Sequence, residues 1–193
     1  MKTLTELFDE IYIPQDYPRY ENGILKGYTD KNTDHSYIDV YTELFKDKRA
    51  TANKVLEIGI YYGGSMVLWE QYFEKAHIYG LDINGALGLE SKPRITQIIG
   101  DAYSDQIVNN LDNDFDIVID DGPHTLLSMV NFIEKYLPKL KSDGILVIED
   151  IQDMSWIPVL TSFVPDEIKD KIKIYDIRHV KNRWDDIIFA IKL

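Results

Sequence analysis

The sequence predicts an α/β protein: a doubly wound sheet of seven strands in three layers, mostly parallel, ending in an antiparallel hairpin and preceded by a short cap. Three observations predict it. Seven short β-rich runs recur after residue 53, most of them apolar almost throughout, as strands covered on both faces are. Amphipathic stretches with helical spacing lie between several of these runs, the alternation expected of a layered α/β sheet. The chain has 193 residues, enough to bury a core without disulfides or a structural metal.

Residues 1–52 are irregular and hold six of the 13 tyrosines: Tyr12, Tyr17, Tyr20, Tyr28, Tyr37 and Tyr41. Such aromatic content is unusual for a disordered tail, so this segment is expected to fold onto the core as a cap or lid. Residues 53–193 form the second unit. Its β runs are 54–58, 77–81, 95–99, 115–119, 145–148, 172–175 and 187–191. Met66, Trp69, Tyr72 and Phe73 mark one helix. Leu126, Met129, Val130, Ile133, Leu137 and Leu140 mark another, with Pro138 near its end. A helix is also expected over Tyr103–Leu111, for which Asp101 is a candidate N-cap. The stretch Asp82 to Arg94 is too short for much helix, and Asp176 to Asp186 reads as the turn of the closing hairpin.

Composition excludes several classes. Cysteine is absent, which removes disulfide scaffolds, thiolate-bound zinc, iron–sulfur clusters and thiol catalysis. No apolar run approaches 18 residues, so no membrane span or membrane partner is expected. The N-terminus is acidic and interrupted by Pro14, unlike a targeting peptide, and a cytoplasmic location is expected. Lys+Arg 21 against Asp+Glu 33 gives a net charge of −12, which repels phosphate backbones and argues against nucleic acid as a partner. A homo-oligomer stays open.

In sheets of this class ligands bind beyond the carboxyl ends of the strands. The residues there are Glu57-Ile58-Gly59-Ile60-Tyr61-Tyr62-Gly63-Gly64-Ser65, then Asp82, Gly100-Asp101, Asp120-Asp121-Gly122-Pro123-His124 and Glu149-Asp150. Nearly every strand ends in a carboxylate, and acids gathered on one edge repel unless a cation or donors satisfy them. Gly59 and Gly63 frame G-x-x-x-G rather than the dinucleotide fingerprint, and Tyr61 stands where a pyrophosphate needs close backbone approach. Asp82 lies about 20 residues beyond the loop, where an acid takes ribose hydroxyls.

Val55-Leu56-Glu57-Ile58-Gly59, Tyr79-Gly80-Leu81-Asp82, Gly100-Asp101 and Asp116-Ile117-Val118-Ile119-Asp120-Asp121-Gly122 resemble the motifs of class I S-adenosylmethionine-dependent methyltransferases, a Rossmann-like family. Ile119-Asp120-Asp121-Gly122-Pro123-His124 followed by Glu149-Asp150 is similar to the macrocin and mycinamicin sugar O-methyltransferases and the cephalosporin hydroxylase-like group. Thr29-Asp30-Lys31-Asn32-Thr33-Asp34-His35-Ser36-Tyr37 resembles a segment upstream of their core. The resemblance implies an S-adenosylmethionine cofactor cradled by Glu57, Gly59, Gly63, Ser65, Asp82, Asp101 and Asp120. It implies a divalent metal on Asp121, Glu149 and Asp150, with His124 as base. The chain departs by lacking a large N-terminal domain and by placing Ala102 after Gly100-Asp101. Three carboxylates suit a hard ion such as Mg²⁺, and a histidine with a pKa near 6.5 suits proton removal. His35, His77 and His179 have no comparable neighbours in the sequence. Trp156 is a candidate stacking residue for an acceptor ring. The expected reaction is metal-dependent O-methylation of a sugar or other small polyhydroxyl acceptor. The alternatives are a catechol-type or other small-molecule methyltransferase, or an NAD-linked enzyme of the same layered fold.

Overall fold

The computed structural model describes residues 2–14, 16–90 and 92–193. The N-terminal segment contains α1 (Leu4–Ile11), the short hairpin β1 (Arg19–Glu21) and β2 (Ile24–Lys26), and α2 (Ile38–Phe45). Then come β3 (Lys54–Ile58), α3 (Gly64–Tyr72), β4 (His77–Asp82), β5 (Ile95–Ile99), α4 (Asp105–Asn110), β6 (Phe115–Asp120) and α5 (Leu126–Tyr136). The chain closes with β7 (Leu140–Ile148), α6 (Trp156–Ser162), β8 (Ile172–Asp176), α7 (Arg178–Lys181) and β9 (Ile187–Lys192). Seven strands form one sheet in the order β5, β4, β3, β6, β7, β9, β8. The first five pair in parallel, whereas β9 runs antiparallel to both β7 and β8.

Strand residues alternate between two cores, as the period of two requires. Val55, Ile117, Ile119, Ile145 and Val147 face one layer; Leu56, Ile58, Val118, Leu146 and Ile148 face the other. The N-terminal segment belongs to the first layer. Leu4, Leu7, Phe8 and Ile11 of α1 and Tyr41, Leu44 and Phe45 of α2 are buried in the same cluster as Met66, Val67 and Trp69 of α3. On the second face lie Val108 of α4, Met129, Phe132 and Ile133 of α5 and Leu160 of α6.

Four local expectations need correction. α4 starts at Asp105, and its N-cap is Ser104, whose hydroxyl accepts the Ile107 N–H; Asp101 instead takes the Tyr103 N–H at 2.9 Å. α5 ends at Tyr136, because Pro138 supplies no N–H to an α-helical ladder and Leu137–Lys139 tightens into a 3₁₀ turn. Leu140 therefore opens β7, five residues earlier than the apolar run alone indicates. The hairpin connection holds a helical turn, α7, which stops at Asn182 in left-handed backbone.

Candidate active site

β3 and β6 are adjacent and parallel, so the loops after them emerge side by side. Gly59 has φ +91°, and a Cβ there would lie 1.9 Å from the Asp121 carbonyl oxygen. Only glycine lets these two strand ends touch. Gly64 has a different task. A Cβ there would lie 1.9 Å from the carbonyl oxygen of Tyr28, so this glycine seats the N-terminal segment against α3. Between them Tyr61 adopts φ +47° and exposes 66% of its surface at the loop tip.

A cavity of about 1060 Å³ opens over these strand ends. Gly59, Ser65, Asp82, Asp101, Asp121 and His124 line it, together with Tyr17, Tyr28, Asp30 and Tyr61. Asp82 organises the loop: its carboxylate accepts the Ile60 N–H at 2.7 Å and the Asn84 N–H at 2.9 Å. The other predicted cofactor residues, Glu57, Asp120 and Gly63, do not line the cavity. Glu57 is fully buried and accepts the Trp69 indole N–H at 3.1 Å. Asp120 accepts the Tyr103 hydroxyl at 2.8 Å, and burial followed by the nearby Asp121 charge pushes its pKa up to about 7. Gly63, at φ +87°, is the N-cap of α3. Trp156 packs into the second core, away from the cavity lining.

Sequence reading missed a side chain at the centre of the acids. Lys31 is fully buried; its Nζ donates to Asp121 Oδ2 and to both oxygens of Glu149 at 2.8 Å, and stands 3.2 Å from Glu57 Oε1. Burial alone pulls an ammonium pKa down, but Asp121, Glu149, Glu57 and Asp30 outweigh it and hold Lys31 well above its usual value. His35 also needs correction, since it has buried partners. Its Nδ1 lies 2.6 Å from Asp186 Oδ1 and 3.3 Å from Asp150 Oδ1, and Arg183 Nη2 lies 3.0 Å from its Nε2. Tyr37 donates its hydroxyl to Asp150 Oδ1. Lysine is normally exposed, and Asp30-Lys31-Asn32-Thr33-Asp34-His35 reads as a solvated loop. The only sequence signal for it was the family resemblance of that segment.

The predicted metal ligands meet in two overlapping groups. Among the described residues, Asp121, His124 and Asp150 offer atoms within 4.8 Å of one another, and so do Glu57, Asp121 and Glu149. Asp121 belongs to both groups, and Lys31 bridges the second. In the first, His124 Nε2 is 3.5 Å from Asp150 Oδ2 and 3.9 Å from Asp121 Oδ1. Burial, then the Asp121 and Glu149 charges, pushes the Asp150 carboxyl up to about 9, the mark of acids crowded together. Glu57, Asp121 and Glu149 share the one ammonium of Lys31, so carboxylates outnumber the cations beside them. Hard oxygen donors with uncompensated charge fit a divalent cation of the Mg²⁺ type. Burial lowers the pKa of His124, so at neutral pH the imidazole is uncharged and able to accept a proton.

A family profile described as "Methyltransferase domain" matches residues 56–151. The 8-demethyl-8-alpha-L-rhamnosyl tetracenomycin-C 2'-O-methyltransferase of Streptomyces olivaceus is 30% identical over 152 residues, covering 74% of this chain and 40% of that protein. The demethylmacrocin O-methyltransferase of Streptomyces fradiae is 33% identical over 132 residues, 63% of this chain and 33% of that protein. The solved MycE methyltransferase from the mycinamycin biosynthetic pathway, in complex with Mg and SAH, matches with a TM-score of 0.72 and 25% identity, covering 99% of this chain and 55% of that one. The chain spans less than half the length of these curated relatives.

Proposed function

We propose, for a chain that belongs to the class I S-adenosylmethionine-dependent methyltransferases and is related to the macrocin and mycinamicin sugar O-methyltransferases, that it methylates a hydroxyl of a sugar or other small polyhydroxyl compound with the aid of a divalent cation. One observation carries this reading. A single cavity holds the cofactor-type acids Asp82 and Asp101 and, beside them, Asp121 and His124.

In this reading Asp82 holds the ribose hydroxyls, and the Gly59–Gly63 loop borders the methionine part. Asp101 and Ser65 line the same pocket, while Glu57 and Asp120 support its floor. Asp121, Glu149 and Asp150 would hold an Mg²⁺-like cation: Asp121 and Asp150 through the oxygens that face His124, and Glu149, which accepts Lys31 Nζ on both oxygens, through its remaining lone pairs. S-adenosylmethionine supplies an activated methyl group, and the cation favours the ionised form of an acceptor hydroxyl. The chain's own residues do the rest. The loop and Asp82 fix the methyl donor, so that transfer becomes a matter of alignment. His124, uncharged and facing the cavity, removes the hydroxyl proton at Nε2. Tyr17 and Tyr61, both exposed along the cavity, offer apolar ring faces against which a sugar ring packs.

The test is methyl transfer from labelled S-adenosylmethionine to a panel of glycosides. Turnover that ceases in chelator, returns with Mg²⁺ and falls about 10²–10⁴-fold in His124→Ala is expected, the usual worth of a general base. Full turnover in excess chelator would sink the cation role.

A further inference from the structure

The segment Tyr28–Tyr37 contributes more to the strand-end acids than a cover would. Lys31 takes Asp121 Oδ2 and both oxygens of Glu149, and Tyr37 takes Asp150 Oδ1. The oxygens left over are Asp121 Oδ1 and Asp150 Oδ2, which are the two that face His124 Nε2. One stretch of chain thus occupies both oxygens of Glu149 and one oxygen each of Asp121 and Asp150, and leaves the second oxygen of those two beside His124.

The support for Tyr37 is itself built. His35 stacks on its ring with centroids 4.7 Å apart. A guanidinium only donates, so Arg183 Nη2, 3.0 Å from His35 Nε2, leaves that nitrogen as acceptor and puts the imidazole proton on Nδ1. That proton points at Asp186 Oδ1, 2.6 Å away, which fixes the ring. Asp186 precedes β9, which pairs with β7, the strand that delivers Asp150. Asp150 itself sits at φ +55°, left-handed backbone for a residue with a Cβ, and such a conformation persists only where surrounding contacts hold it.

We propose that Tyr37 is a positioning residue of the cation centre: its ring, stacked on the His35 that Asp186 holds, places the hydroxyl that aims Asp150, so that the free oxygen of Asp150 meets that of Asp121. The inference rests on the cation reading above and adds a residue outside the ligand set. Partners behind metal ligands set ligand orientation, and their loss costs about 10–100-fold in metal affinity.

The experiment is a Mn²⁺ titration of the full chain, with free Mn²⁺ read by electron paramagnetic resonance. S-adenosylhomocysteine affinity by calorimetry and a thermal melt in chelator serve as controls. Tyr37→Phe removes only the hydroxyl. Mn²⁺ affinity about 10–100-fold weaker is expected, with cofactor-product affinity within about twofold and an unshifted melt in chelator. Should Tyr37→Phe not fold, His35→Asn removes the stacked ring but keeps a donor for Asp186, and the same direction of change is expected. Unchanged Mn²⁺ affinity in the folded variant would overturn the positioning role alone. A wild-type chain that binds no Mn²⁺ would overturn this role together with the cation reading.

Discussion

Single residues carry the most direct tests. Asp82 serves the loop and, in the proposed function, the ribose; its carboxylate accepts the Ile60 N–H at 2.7 Å. Asp82→Ala is expected to weaken S-adenosylhomocysteine binding at least about tenfold by calorimetry, as loss of a charged hydrogen bond implies. Unchanged affinity in a folded variant would remove Asp82 from the site. Asp116 illustrates a purely structural acid. It accepts the N–H groups of Asn53 and Lys54 at 2.7 and 3.0 Å and is paired with Lys141 at 2.8 Å. Burial works against its charge, but the Lys141 and backbone hydrogen bonds win and hold its pKa below the ordinary value. A depressed folded-state pKa gives stability that is fully present above the unfolded value of about 3.9 and is lost as pH falls through the folded one. Asp116→Asn should therefore cost about 2 kcal/mol near pH 7. In denaturant titrations the gap between variant and wild type should narrow as pH falls below the unfolded value of about 3.9 and close once pH is below the depressed folded one.

Among the elements, the N-terminal segment is the informative one. α1 begins with a capping box in which the Thr3 side chain and Glu6 satisfy each other's backbone N–H groups. Its Leu4, Leu7, Phe8 and Ile11 recur at helical spacing and all enter the core. Phe8→Ala is expected to cost about 3–5 kcal/mol, the price of emptying a buried aromatic site; a loss below about 1 kcal/mol would mean the helix is only loosely docked. Where this segment crosses α3 the two backbones are in contact: a Cβ on Gly27 would meet Gly64 Cα at 2.7 Å, and one on Gly64 would meet the Tyr28 backbone. Gly64→Ala should therefore push the segment 27–37 off α3 and speed its proteolysis, without unfolding the parallel strands. Identical cleavage rates for variant and wild type would contradict this.

At the scale of the whole molecule, the cavity over the strand ends links cofactor binding to global stability. A ligand at 100 times its Kd adds about 2.7 kcal/mol. For a chain of this size that raises Tm by roughly 5–11 °C. S-adenosylhomocysteine should give such a shift and NADH at equal concentration none, which separates the methyltransferase reading from an NAD-linked one. No described helix is long and apolar enough to cross a membrane.

The sequence alone determined the seven-stranded sheet, because apolar runs and helical stripes are local patterns that survive without knowledge of neighbours. It also located the acids at the strand ends, since the Asp82, Asp101, Asp121 and Glu149-Asp150 positions follow from where each run stops. Only the tertiary structure decided what those acids face. Lys31 lies 90 residues from Asp121 and 118 from Glu149 along the chain, and no spacing rule connects them. Its own surroundings in sequence are polar, so nothing local marks it for burial. His35 has no comparable neighbours in the sequence, and its partners Arg183, Asp185 and Asp186 arrive from the far end of the chain. The glycines after β3 were legible as a loop, but their separate tasks were not. Close approach is a property of two segments at once: Gly59 admits the Asp121 backbone, and Gly64 admits that of Tyr28. Local pattern fixes which residues lie on which element; the balance of buried charge is settled only when distant elements pack.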